Sequence, residues 1–349
     1  MLLVNNPGSW SAIYPPLEHA AWHGWTPTDL IFPFFLFIVG VTTNLSKRGT
    51  EPRRILVRGG LIVLFGVLLN AFPWWPADRW AQLRFMGVLQ RIGLVYIAAA
   101  LLTRRTSVTQ QVAILAVLLF GYWFALTLLP VPGAGMGALV LGDPSRTLAA
   151  WLDRALLGTS HIWQASRTWD PEGPLSTIPA IGSAMLGVLA GRWLAGPRPL
   201  SERIAGLASA GSLLMVAGLM WGWSFPINKN LWTSSYVLFT GGMAALALAV
   251  CLWLVDDHGW TRWTTPFAVF GVNPMLAFVG TGVMGRIIGS LWRIDVDGHD
   301  VPLKQWVYDR SFASWLEPRD ASLAFAVGFV LLWLLLLLPL HRRGLHLRV

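Results

Sequence analysis

Nine apolar runs, each long enough to cross a bilayer as a helix, dominate this sequence and leave few ways to fold it. A hydrocarbon core about 30 Å thick takes about 20 apolar residues in an α-helix. Runs of that kind lie near 29–46, 55–72, 84–103, 110–130, 175–195, 204–223, 235–255, 264–290 and 320–340. Residues 1–4 read as the last turn of a further helix whose start is missing. The expected fold is therefore an all-α polytopic membrane protein of about ten transmembrane helices, the first largely missing from this chain. Charged residues make up only 12% of the chain, about half the share of a soluble domain, so little mass is left for anything outside the bilayer. The 21 Trp fit the same picture, since Trp collects at bilayer interfaces. No repeat, low-complexity tract or soluble domain stands out, and a single transmembrane domain over 1–349 is expected.

The net charge of +9 could suggest nucleic acid, but the basic residues form no single patch. They fall in short clusters between apolar runs: Lys47, Arg48, Arg53, Arg54 and Arg58; Arg104 and Arg105; Arg192, Arg198 and Arg203; Arg262; and Arg342, Arg343 and Arg348. Each cluster sits in an alternate loop, so all five can be cytoplasmic together, as the positive-inside rule requires. The loops 5–28, 73–83, 131–174, 224–234 and 291–319 then face outward, and they hold Glu18, Asp143, Asp153, Asp170, Glu172, Asp295 and Asp297. The expected partner is the lipid bilayer, not nucleic acid, and the expected location is an integral membrane position. The single cysteine, Cys251, lies in an apolar run, so there is no disulfide framework and no Cys/His metal spacing. No cleavable signal peptide with a charged front and a small-residue cleavage site is expected from these residues. It also lacks a Gly-x-Ser-x-Gly elbow, a phosphate-cradling P-loop and a His-Glu-x-x-His pair, which weakens serine hydrolase, NTPase and zinc protease readings.

The polar residues at the edges of these runs are the candidates for chemistry. His19, His23 and Asp29 stand at the outer mouth of the first full span, where a titratable group is costly and suggests function. Imidazole titrates near neutral pH and suits acid–base or acyl-transfer work, and a nearby carboxylate can support the imidazolium. Asp29 could equally cap its helix with Thr26 and Thr28, and His23 could be an ordinary interfacial histidine. Asn5 and Asn6 could stabilise an oxyanion or form a turn before Pro7 and Gly8. Gln90 and Arg91 lie inside the run GVLQRIGLVYIAAALL. An arginine at that depth must face a cavity or a partner, either a phosphate or a helix neighbour in an ion pair. Asp170 and Glu172 lead into the span at 175–195 as paired acids, catalytic or merely capping. Asn228, Lys229 and Asn230 stand at an outer helix end, where Lys229 could bind an anion or snorkel. Asn273 and Pro274 interrupt a span, and broken helices often line cavities.

Six ordered segments, LVNN, EHAAWHGWTPTDLIFPFFLFIVG, GVLQRIGLVY, DPEGPLSTIPA, PINKNLWTSSYVLFT and FGVNPMLAFVG, resemble the transmembrane acetyltransferase family that includes heparan-alpha-glucosaminide N-acetyltransferase and its bacterial relatives. The resemblance runs over nearly the whole chain. It implies an acyltransferase that takes acetyl from cytoplasmic acetyl-CoA and passes it to the amine of a glucosamine-type sugar on the opposite face, with no metal. The family's essential histidine corresponds to His19, toward the periplasmic side, and its following aspartate to Asp29. An asparagine ahead of them matches Asn5, with Asn6 as the alternative register. These three would be catalytic. Gln90, Arg91, Asn228, Lys229 and Asn230 match the motifs expected at the acetyl-CoA site. The chain departs from the family in lacking most of its first helix and the large lumenal domain of the animal enzyme, so a simpler sugar acceptor is expected. A homodimer is compatible with this reading. A transporter or flippase of a polar solute or lipid-linked sugar is the competing reading, since buried Arg91 and the break at Asn273 suit it equally.

Overall fold

In a computed structural model of the chain, which describes residues 1–45 and 51–345, nearly every apolar run is helical. Lys47, Arg48 and Arg348 lie outside the described residues. Among the described residues, eight helices are long and apolar enough to cross a membrane. Helices suit that setting because they satisfy their backbone hydrogen bonds internally, where no water can. The chain divides into two compact units. The larger comprises Ala20–Trp25 and Asp29–Gly259; the smaller comprises Met1–His19, Thr26–Thr28 and Trp260–Val349.

The larger unit is built from α1 (Pro27–Leu45), α2 (Pro52–Ala71), α3 (Val88–Thr103), α4 (Val108–Leu128), α5 (Leu148–Leu157), α6 (Pro174–Leu194), α7 (Leu200–Trp221) and α8 (Ser234–Asp257). Helix α6 is the hub, packed by α1, α3, α4, α5 and α8. Its sequence explains this position. It is apolar all round and rich in Gly, Ala and Ser, and a helix of that kind is buried on every side. Small residues let backbones meet directly. A Cβ on Gly40 of α1 would lie 1.9 Å from the Ala184 carbonyl oxygen, and one on Gly187 of α6 would lie 1.9 Å from that of Phe37. Replacing Gly187 with Leu should destabilise the protein by at least about 1–3 kcal/mol, the usual cost of overpacking. Thermal melting in detergent checks this, and an unchanged melting temperature would mean that the two helices part freely.

One end of the unit collects basic side chains, as the alternation of clusters requires. Arg192, near the end of α6, donates to the carbonyls of Thr103 and Thr106 at 3.1 and 3.0 Å. The opposite end collects the connections that carry acids and asparagine. Helix α5 is an addition there, because the sequence reading left 131–174 as a loop. It is amphipathic, capped by Thr147, whose hydroxyl accepts from the Ala150 amide at 3.2 Å. Helix α3 begins four residues later than the sequence suggests, because Arg84 is drawn into the connection between α2 and α3 and held there.

The smaller unit holds α9 (Thr265–Val272), α10 (Pro274–Leu291) and α11 (Pro318–Arg342). The run at 264–290 is thus two helices and not one. Asn273 between them has φ −130° and ψ 52°, because the residue before a proline is pushed out of the helical region. Val269, Ala277, Phe329, Trp333 and Leu337 form its core. Residues Leu2–Asn5 make a single helical turn against α11, where the sequence reading has the end of a helix. A hairpin pairs Arg293–Val296 with His299–Pro302.

Candidate active site

The polar end of the larger unit is organised by a turn at residues 170–173, immediately before α6. The Glu172 amide donates to Asp170 Oδ1 at 2.9 Å, which folds both acids to one side. Arg84 meets them there. Its Nε donates to Asp170 Oδ2 at 2.8 Å, and its Nη2 reaches Asp170 Oδ1 and Glu172 Oε2, each at 2.5 Å. Both carboxylates are buried. Burial works against the Arg84 charge, but Asp170 and Glu172 outweigh it and lift its pKa above the ordinary value. The acids, read from sequence as a cap or a catalytic pair, are therefore held in an ionic clasp. Sequence reasoning missed Arg84. Its only signal is an isolated arginine in the otherwise apolar approach to Gly87.

Arg91 stands on the first turn of α3, with no solvent exposure. Its Nη2 donates to the Gly173 carbonyl at 3.3 Å and to Ser176 Oγ. Its guanidinium carbon lies 5.0 Å from the centre of the Trp232 ring, a stacking that suits a planar cation. The sequence reading left open an ion pair within the helices; among the described residues no carboxylate lies within 4.0 Å of Arg91. Arg91 Nε and Nη1 have no hydrogen-bond partner among the described residues, and neither has Gln90 Nε2. These are donors that an acceptor-rich molecule could use.

Asp29, near the start of α1, is almost fully buried. Its Oδ2 accepts from the Ala20 amide at 3.0 Å, and its Oδ1 lies 3.7 Å from Lys229 Nζ. Tyr236 donates its hydroxyl to the Asp29 carbonyl at 2.5 Å. Thr26 and Thr28 donate their hydroxyls to the carbonyls of Glu18 and Pro16. Burial lowers the Lys229 pKa, against the pull of Glu172 and Asp29. Asn228 builds the loop that presents Lys229. Its Oδ1 accepts from the Leu231 amide at 2.9 Å, an Asx-type turn, and its Nδ2 lies 3.2 Å from His23 Nδ1. An amide donor facing Nδ1 favours neutral imidazole, and partial burial likewise lowers the His23 pKa. Trp232 closes the loop at φ 53° and anchors its Nε1 on Ser183 Oγ at 3.1 Å. Asn230 is half-buried beside Lys229.

The larger unit thus brings together Asp29, Arg91, Asn228 and Lys229, with Gln90 adjacent to Arg91 on α3. His19 and Asn5 belong to the smaller unit, and both are exposed. Asn6 is tied down by its own turn, donating to the Leu2 carbonyl at 2.9 Å. Asp153, on α5, also reaches the 170–173 turn and was read only as one outward acid among several. Its Oδ2 accepts from the Asp170 amide at 2.9 Å. Beneath the cluster, Tyr122, Leu126, Leu141, Ala149, Phe225 and Leu231 form an apolar floor. Among the described residues, no three His, Cys, Asp or Glu side chains converge as a metal would need.

A family model described as heparan-alpha-glucosaminide N-acetyltransferase, catalytic, matches residues 11–227. The heparan-alpha-glucosaminide N-acetyltransferases of Homo sapiens and Mus musculus are each 32% identical over 368 aligned residues. The match takes in 87% of this chain and 54% and 55% of theirs. The chain therefore spans about half the length of these relatives. The family match contains His19, Asp29, Gln90, Arg91 and the 170–173 turn. It ends one residue before Asn228 and begins after Asn5.

Proposed function

The chain belongs to the heparan-alpha-glucosaminide N-acetyltransferase catalytic family, and from that premise we propose that it is a membrane acyltransferase moving acetyl from acetyl-CoA to the amine of a glucosamine-type sugar. The observation that carries this reading is the coincidence of the family match with the buried polar cluster of the larger unit. In such a transfer the thioester C–S bond breaks and an amide C–N bond forms. The thiol leaves with a proton and the amine gives one up, so a base and a charge-stabilising frame are required. His19 is proposed as that base or as the acetyl carrier, Asp29 as its support and Asn5 as a donor to the reacting carbonyl. The unpaired donors of Gln90 and Arg91 suit the carbonyl- and phosphate-rich arm of acetyl-CoA. The alternation of basic clusters supports donor entry from the cytoplasm and an acceptor on the opposite face.

For Lys229 the geometry favours a role different from the donor contact expected from sequence. Lys229 Nζ, 3.7 Å from Asp29 Oδ1, is proposed to hold that carboxylate in place. Purified protein should be thermally stabilised by CoA and should acetylate glucosamine; a transporter or flippase needs neither. In Lys229→Met, turnover should fall while CoA affinity holds. A fall in CoA affinity with turnover at saturating donor unchanged would return Lys229 to the donor site. Absence of both CoA stabilisation and acetyl transfer in the parent protein would sink the enzyme reading itself.

A further inference from the structure

We infer that Asp153 works as a neutral carboxylic acid, a positioning residue that holds a proton in order to seat the 170–173 turn against α5. Its side chain is only 1% exposed. One oxygen, Oδ2, takes the Asp170 amide at 2.9 Å. The other, Oδ1, has no hydrogen-bond partner among the described residues. An ionised carboxylate with a bare buried oxygen is far costlier than a protonated one.

The groups that face Asp153 do not supply the missing charge. Asp170, on the turn itself, is a carboxylate and repels. Arg91 on α3 and Arg154 on its own helix attract, and Tyr122 on α4 lies near as a phenol. Arg154 is committed elsewhere, donating Nη1 to the carbonyls of Ser145 and Thr168 at 2.8 and 2.7 Å. Arg91 is turned to Gly173 and Ser176. A third negative charge would crowd a turn that already carries Asp170 and Glu172. In keeping with this geometry, burial pushes the Asp153 pKa up to about 7.

Close approach is built in. A Cβ on Gly173 would lie 2.2 Å from Asp153 Oδ1, so glycine there lets the carboxyl press on the turn. That turn holds Arg84 through Asp170 and Glu172, and holds Arg91 through the Gly173 carbonyl. The state of one proton on Asp153 therefore reaches both arginines. Between the ordinary carboxylate pKa and about 7 the folded protein holds this proton and the unfolded chain does not. The group therefore withdraws stability as pH rises through that window, and the full loss stands above it.

The inference does not depend on the acetyltransferase reading, and its test needs no substrate. Infrared difference spectra of the full chain in detergent, wild type minus Asp153→Asn, should show the carbonyl band of a protonated carboxylic acid. The band should be present near pH 6 and fade as pH rises through about 7. In parallel, the melting temperature of the wild type should fall relative to Asp153→Asn over the same range. Asparagine keeps the shape and the acceptor without the charge, so the variant should fold. If it does not, the pH-dependent band of the wild type with isotope-labelled aspartate carries the test alone. A wild type with no protonated-acid band near pH 6, or a band that persists in Asp153→Asn, would overturn the inference.

Discussion

Replacing His19 with alanine should abolish acetyl transfer and leave the fold and CoA binding in place. The loss should be about a hundredfold to ten-thousandfold if the imidazole serves as a general base, and larger if it carries the acetyl group. His19 is exposed, so its removal opens no cavity. The residue after it is fixed, because the Ala20 amide donates to Asp29. A second substitution separates support from scaffolding. Asp29→Asn keeps a side-chain oxygen for the Ala20 amide but removes the charge facing Lys229. If Asp29 acts through its charge, that variant folds normally and turns over slowly. If it acts only through the amide contact, turnover is unchanged. His19→Ala transferring acetyl at near the parental rate would remove His19 from the chemistry altogether.

Arg84→Met should be the most damaging single change to stability at the site, costing about 3–5 kcal/mol, as expected when one partner of a buried ion pair is removed. Asp170 and Glu172 would then be buried together without the cation that reaches both at 2.5 Å. Adding Asp170→Asn or Glu172→Gln should recover part of the loss at neutral pH. A melting shift no larger than that of the exposed Arg104→Met would show that the clasp contributes little.

How much of this was legible depended on the range of the interaction. The spans follow from local composition, and the break at Asn273 follows from the proline after it. The burial of Gln90 and Arg91 was foreshadowed because polar residues at that depth need partners, whereas Asp29 and Asn228 were placed at outer helix ends. The partners themselves were not visible. Arg84 finds Asp170 86 residues away, and Asp153 meets the same turn only because α5 folds back onto α6. Lys229 was assigned to the acetyl-CoA site by its match to a family motif; its neighbour Asp29 lies 200 residues earlier. Helix α5 was missed because ten residues with one apolar face fall well short of the length that marks a span.

The bare crossing of α1 and α6 has a mechanical consequence. Between Gly40 and Gly187 there is no layer of side chains to act as a bearing, and sliding or rolling one helix on the other would drive carbonyl oxygens into α-carbons. The joint is in effect welded. Asp29 rides on the start of one helix, and the 170–173 turn leads directly into the other. Their spacing is therefore set by the weld, and motions that admit or release substrate are left to the loops above it. A rocking-helix transport cycle would have to break this joint at every turn, whereas a catalyst that needs a fixed frame gains from never doing so.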